Sequence, residues 1–197
     1  MKDIFIVIIC YLIGNISFSY LFTKLKLKKD IREFGSGNAG TTNVLRVLGI
    51  KYAVMVLLGD VLKGVVAILI GKFLGSSDWI TILCGLAVII GHNWPAIMGF
   101  RGGKGIATSI GVFIIYDPAV ALTCIGIGIV IIAISKYVSL GSVLGVALAP
   151  LVTIAFSRGT GEFIFALIIS SIAIYKHRAN IDRLRKGTEN KLKFKIK

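Results

Sequence analysis

The chain has 197 residues, 56% of them hydrophobic, and carries 23 Lys and Arg against 9 Asp and Glu, a net charge of +14. A mean hydropathy of +0.88 excludes an ordinary soluble domain and predicts an all-α polytopic membrane protein. The positive charge suits anionic lipid and anionic substrates, and because it lies between apolar spans no nucleic-acid partner is expected.

Residues 4–22 predict a first span. Lys2 is offset by Asp3, which argues against a cleaved leader. Lys24, Lys26, Lys28, Lys29 and Arg32 follow the span, placing the N-terminus outside and the loop 23–50 in the cytoplasm. That loop contains Gly35-Ser36-Gly37-Asn38-Ala39-Gly40-Thr41-Thr42-Asn43-Val44-Leu45-Arg46. Its glycines let the backbone approach a ligand, and Arg46 offers a guanidinium fork for phosphate or carboxylate. The G-x-G-x-x-G match is not a dinucleotide site, because no strand precedes it. A flexible connector is the plain alternative.

The second span, 52–74, contains Asp60 and Lys63 on one helical face, read as a structural ion pair. The third, 79–98, ends in Gly91-His92-Asn93-Trp94-Pro95, with His92 read as structural. Gly99-Phe100-Arg101-Gly102-Gly103-Lys104-Gly105 fails the Walker A pattern at both ends. It leaves a glycine turn with two cations at a predicted helix start, which is suited to an anion. Span 4, 104–115, is short for a full crossing. Asp117-Pro118 makes an outer turn, and spans 5, 6 and 7 cover 119–135, 138–156 and 161–175. Ser139 and Ser142 open span 6, where Ser often bonds its own helix.

A basic tail, 176–197, holds His177, Asn180 and Arg183 and ends with Lys alternating with Leu192, Phe194 and Ile196, a lipid-surface contact or a disordered end. Cys10, Cys84 and Cys124 sit in apolar segments without metal spacing, so no metal site is expected and they read as small buried hydrophobes. Seven spans put nearly all Lys and Arg on the cytoplasmic side, the C-terminus included; Lys2, Lys72 and Arg158 are outside and Lys63 is within the membrane. Arg46, Arg101, Lys104 and Arg183 then share one face, more cations than one phosphate needs, which implies two phosphates or a phosphate plus developing charge. The whole chain, 1–197, reads as a single transmembrane domain.

Together three motifs resemble the bacterial membrane acyl-phosphate-dependent glycerol-3-phosphate acyltransferases. They are Gly35 to Arg46; Gly91-His92 with Pro95 through Gly105; and His177-x-x-Asn180-Ile181-x-Arg183-Leu184-x-x-Gly187-x-Glu189. Thr41 stands where that family usually has Ala, and Arg101 where it usually has Lys. The resemblance implies transfer of an acyl group from fatty acyl phosphate to the 1-hydroxyl of glycerol 3-phosphate, at the cytoplasmic face of a bacterial inner membrane. It implies no cofactor and no enzyme nucleophile, and a monomer is expected. On this reading Ser36, Asn38, Thr41 and Asn43, with Gly35, Gly37 and Gly40, bind a phosphate and stabilise the oxyanion. Arg46 and Lys104 clamp phosphate charge, assisted by Arg101 and the loop glycines Gly102, Gly103 and Gly105. Ser142, His177 and Asn180 position glycerol 3-phosphate, and Glu189 fixes the tail by a salt bridge. The base is either His177 or the acyl phosphate's own oxygens.

Two rivals remain at this level. His177 to Asp182 fits the H-x-x-x-x-D signature of acyl-CoA-dependent acyltransferases, although five residues of helix turn the two side chains about 140° apart. An anion transporter is also compatible with the charge, but no internal repeat is visible. The predicted topology has a direct check. A cysteine placed at Thr160 should react with an impermeant reagent on intact cells, and one at Asn190 should not; labelling at 190 would invert the topology.

Overall fold

In hydrocarbon a backbone N–H or C=O has no water to bond, so a spanning chain satisfies these groups within helices or a closed barrel. The computed structural model describes residues 1–192, and every regular element among them is helical. Residues 193–197, with most of the alternating Lys tail, lie outside the described residues. Five segments are long and apolar enough to cross a membrane: Lys2–Leu27, Ile50–Leu74, Asp78–Met98, Pro118–Ser135 and Val138–Ala155. They correspond to expected spans 1, 2, 3, 5 and 6. Spans 4 and 7 correspond to helices of 11 and 17 residues, Ile106–Tyr116 and Thr160–Lys176. At 1.5 Å per residue these reach about 16 and 25 Å, against about 30 Å of hydrocarbon.

The chain divides into two compact units, Met1–Tyr116 and Asp117–Lys197. The first holds α1 (Lys2–Asn15), α2 (Phe18–Leu27), α3 (Thr41–Leu48), α4 (Ile50–Leu74), α5 (Asp78–Asn93) and α6 (Ile106–Tyr116). α4 is its axis, with α1, α5 and α6 packed along it. Two crossings depend on glycine. A Cβ at Gly14 or Gly91 would strike the facing backbone of α5 or α1, and one at Gly64 or Gly111 would strike the Thr108 or Val61 carbonyl across the α4–α6 contact.

The expected first span is broken. Ile16 leaves the helix in an extended conformation and Ser17 restarts it, its Oγ accepting from Tyr20 N at 3.3 Å. The carbonyls of Gly14 and Ile16 accept instead from Lys63 Nζ, at 3.2 and 2.8 Å. The expected ion pair is present: Lys63 Nζ lies 2.8 Å from Asp60 Oδ1, with the two residues 4% and 2% exposed. Lys63 also meets His92 Nδ1 at 2.8 Å.

Contacts at the two ends of this unit agree with the expected alternation of its helices. Asp3 bonds Ser76 at one end, Oδ2 to Oγ at 2.6 Å. At the other, Arg32 Nη1 donates to Met98 O at 2.8 Å. A cluster of Ile31, Ala39, Val44 and Val56, flanked by Phe18, Phe22, Val47, Leu48 and Tyr52, anchors the loop after α2 and the helix α3 to the side of α4.

The second unit holds α7 (Pro118–Ser135), α8 (Val138–Ala147), α9 (Ala149–Ala155), α10 (Thr160–Lys176) and α11 (Arg178–Arg185). Span 6 is likewise divided, at Leu148, with Pro150 in the first turn of α9. Asp117 caps α7 and pairs with Arg158 at 2.7 Å, so the two expected outer turns meet at one end. Leu192 N donates to Lys136 O at 2.7 Å, joining the α7–α8 turn to the tail. Leu122, Ile129, Val130 and Ile134 of α7 are exposed, the pattern of a helix facing lipid. Cys10 and Cys84 are buried as expected, while Cys124 is only partly so.

Gly111→Val should force α6 from the Val61 carbonyl and cost about 1–3 kcal/mol, the usual range for overpacking. Gly126→Ala, on a face of α7 with nothing within 4 Å, should be neutral or slightly stabilising. Thermal unfolding of both variants in detergent checks the contrast.

Candidate active site

In the first unit the loop after α2 opens with a short turn, Ile31–Glu33, capped by Asp30, whose Oδ1 accepts from Arg32 N at 2.9 Å. The Arg32 guanidinium turns back onto the same carboxylate, with Nη2 2.6 Å from Oδ2. Burial pushes the Asp30 carboxyl up, but the Arg32 side chain and N–H outweigh it and hold it below its ordinary value. The remaining Arg32 nitrogen, Nη1, reaches Met98 O and ties this loop to the one after α5. Nothing in the sequence singled out Arg32 for this; the Asp-x-Arg spacing was its only local sign.

The stretch 34–43 is wrapped round one amide. Asn43 Oδ1 accepts from Ser36 N at 2.9 Å, and Nδ2 donates to Phe34 O, Asn38 O and Ile31 O at 2.9, 3.1 and 3.3 Å. Gly35 and Gly37 take φ of +58° and +69°, and a Cβ on Gly35 would collide with Asn43 Oδ1. Asn43 was expected to touch phosphate. Its amide is instead buried and occupied by the loop backbone, so it shapes the loop. Ser36 and Arg46 are exposed, Asn38 and Thr41 half-buried. Gly40 precedes α3, and Thr41 and Thr42 open it, so their N–H groups belong to the first turn of a helix, an arrangement that favours anions.

The second loop folds back onto the end of α5. Gly102 N donates to Asn93 O at 3.3 Å and Gly103 N to His92 O at 3.0 Å. A Cβ at Gly102 would strike the His92 carbonyl, and one at Gly103 the His92 ring. Gly105, at φ +83°, packs against the Asn93 side chain and delivers the chain into α6. Lys104 is half-buried and Arg101 exposed. Between the two loops lies an open cleft of about 670 Å³ lined by Asp30, Arg32, Glu33, Gly37, Met98, Gly99, Arg101 and Gly102. Of the expected site residues, only Gly37, Arg101 and Gly102 line it.

In the second unit His177 sits at the junction of α10 and α11, buried. Its Nδ1 lies 2.8 Å from Ala173 O. A carbonyl only accepts, so Nδ1 carries a proton, and Nε2 is the acceptor nitrogen when the ring is neutral. Asp182, the acid of the rival signature, is exposed and bonds Lys186 at 2.9 Å. Ser142 is half-buried on α8.

Asn180 was expected to position substrate and Arg183 to add a cation. Both engage Glu189: Asn180 Nδ2 donates to Oε1 at 2.9 Å and Arg183 Nε to Oε2 at 2.7 Å. The salt bridge expected of Glu189 is therefore present, and Arg183 is a paired cation. Burial pushes the Glu189 carboxyl up, yet Asn180 and Arg183 together hold it below its ordinary value. Among the described residues no group of three or more His, Cys, Asp or Glu could hold a metal ion.

Residues 4–187 match the protein-family model described as Glycerol-3-phosphate acyltransferase. A glycerol-3-phosphate acyltransferase of Thermoanaerobacter sp. (strain X514) is 52% identical over 192 residues, 98% of this chain and 96% of that protein. Another, of Clostridioides difficile (strain 630), is 50% identical over 194 residues, 96% of this chain and 95% of its own length. The fold is similar to solved structures of PlsY (YgiH), an integral membrane glycerol 3-phosphate acyltransferase. Its glycerol 3-phosphate form aligns with TM-score 0.92 at 39% identity, covering 98% of this chain and 96% of that one. Its lysophosphatidic acid form gives 0.89 at 38%, with the same coverage.

The Glu189 clasp should be sensitive to pH. A depressed carboxyl contributes stability in full above the unfolded value, about 4.5, and loses it as pH falls through the lower folded value. Glu189→Gln lacks that contribution at every pH. Its unfolding temperature in detergent should therefore lie below wild type at pH 7, with the gap closing on acidification below pH 4.5. A gap independent of pH would contradict the clasp.

Proposed function

The chain belongs to the glycerol-3-phosphate acyltransferase family, and from that premise we propose that it takes its acyl group from a fatty acyl phosphate. The 1-hydroxyl oxygen of glycerol 3-phosphate attacks the acyl carbonyl carbon. The bond from that carbon to the phosphate oxygen breaks, inorganic phosphate leaves, and lysophosphatidic acid forms. The mixed anhydride is already activated, so no covalent enzyme intermediate is needed.

The observation that carries this reading is the pair of glycine-rich loops held at one end of the first unit, one wrapped on Asn43 and the other folded onto His92. Backbone N–H groups of the first loop, with Ser36, Asn38 and Thr41, would hold phosphate and the tetrahedral oxyanion. Arg46 and Lys104 would neutralise phosphate charge, with Arg101 nearby in sequence. His177, Asn180 and Ser142 belong to the second unit and are assigned to glycerol 3-phosphate by the resemblance of their motif. His177 Nε2 is the nitrogen that would take the hydroxyl proton if the departing phosphate oxygens do not. The bond of Nδ1 to Ala173 O and the exposure of Asp182 support this over the His-Asp dyad of acyl-CoA enzymes.

On the same reading the protein is a monomeric enzyme of a bacterial inner membrane, with seven crossings, the N-terminus outside, and the C-terminus and active site in the cytoplasm. The charge bias of the loops and the end-to-end contacts within each unit support that topology. One family match across both units supports treating the chain as a single acyltransferase domain.

The test is steady-state kinetics in lipid. Turnover should require acyl phosphate; turnover with acyl-CoA alone would refute the donor. Arg46→Ala and Lys104→Ala should each lose on the order of a hundredfold in rate, as for a charge-assisted contact to the transition state. The double variant should be little worse than the poorer single, because such groups act as a unit. Lys26→Ala, an exposed cation outside both loops, should match wild type. Near-wild-type rates for Arg46→Ala and Lys104→Ala would defeat the assignment.

A further inference from the structure

Asp60, Lys63 and His92 are buried together in the first unit, and the proposed function gives none of them a role. Their geometry is directional. Lys63 Nζ lies within 3.2 Å of four polar atoms: Asp60 Oδ1, the carbonyls of Gly14 and Ile16, and His92 Nδ1. Paired with Asp60, Lys63 is an ammonium with no lone pair, and its three N–H groups serve the two carbonyls and His92 Nδ1. His92 Nδ1 therefore accepts, which makes the ring neutral with its proton on Nε2. Asp60 Oδ1, 3.5 Å from Nδ1, holds the ammonium in place.

The other edge of the ring faces the loop after α5. His92 Nε2 occupies the space a Cβ would take on Gly103, and the Ala39 carbonyl of the first loop borders the same space. The His92 carbonyl accepts from Gly103 N at 3.0 Å. One residue thus grips Gly103 by backbone and by ring, directly before Lys104, and beside the loop that carries Arg46. A histidine serving only to accommodate Lys63 would need neither contact.

We propose that Asp60, Lys63 and His92 form a positioning relay: the buried ion pair fixes the tautomer and plane of the His92 ring, and the ring sets the Gly103–Lys104 backbone against the first loop. These are positioning residues, acting through Lys104 and not on substrate. The inference rests on the role given to Lys104 under the proposed function.

A double-mutant cycle on purified protein tests it, reading kcat/KM for glycerol 3-phosphate at saturating acyl phosphate, with unfolding temperature alongside. His92→Asn keeps an acceptor for the Lys63 ammonium and removes the Nε2 edge. It should lower kcat/KM about ten- to hundredfold, the scale of a misplacement of about 1 Å, with little change in unfolding temperature. In a Lys104→Ala background the same substitution should have almost no further effect. Asp60→Asn combined with Lys63→Met removes both charges together, which a bundle tolerates better than losing one. It should show the same loss and the same coupling. If that pair fails to fold, His92→Asn alone decides the matter. Wild-type activity for His92→Asn, or losses that multiply with Lys104→Ala, would overturn the relay and leave the proposed site standing. A Lys104→Ala enzyme as fast as wild type would overturn both.

Discussion

The first unit depends on one ammonium inside the bundle. A lysine alone at the centre of a membrane helix costs about 2.5–3.5 kcal/mol even on the mildest scales. Here Lys63 is kept because the fold offers it a carboxylate one helical turn away, two carbonyls released at the break between α1 and α2, and an imidazole at the end of α5. Each partner needs the ammonium in return. The chain bends at Ile16 because its carbonyl has somewhere else to bond, and α5 keeps a polar ring inside because a donor meets it. Three helices are brought into register by one cation.

From that register follow the two glycine-rich loops at one end of the unit. They differ in how they are shaped. The loop before α3 is built inward from a side chain, with the Asn43 amide standing in for the backbone partners that a helix or strand would supply. The loop after α5 is built by contact, glycine backbone laid directly on His92 and Asn93. Both put N–H groups and cations at one end of the unit, where a negatively charged head group is chemically suited to sit.

Much of this could be read in the sequence. Hydropathy located the apolar spans to within a few residues but not the short amphipathic helices α3 and α11 or the breaks within spans 1 and 6, and the three-residue spacing of Asp60 and Lys63 announced their pairing. The glycine clusters marked the loops, and the three motifs together identified the family. What escaped the sequence was partner choice. Asn43 looks like a ligand because amides in glycine-rich loops can face either way, and only the folded loop shows its hydrogen bonds already used. Arg183 counts as a free cation until Glu189, six residues on, is folded back onto it. The break in the first span was hidden because Asn15-Ile16-Ser17 is polar enough to end a helix but no more so than many unbroken spans. What decides it is a lysine 47 residues away.

The wrapping of the first loop also says where this sequence is free to drift. Its path is determined by two positive-φ glycines and one asparagine, all of whose partners are main-chain atoms. Main-chain partners persist whatever side chain stands there. Thr41 lies within the loop-to-helix segment but outside that set of bonds, in the first turn of α3. Exchange of Thr41 for Ala would therefore remove none of the bonds that set the loop's course. The same logic makes Gly35 the least replaceable position of the stretch, since its missing side chain is the space the amide fills.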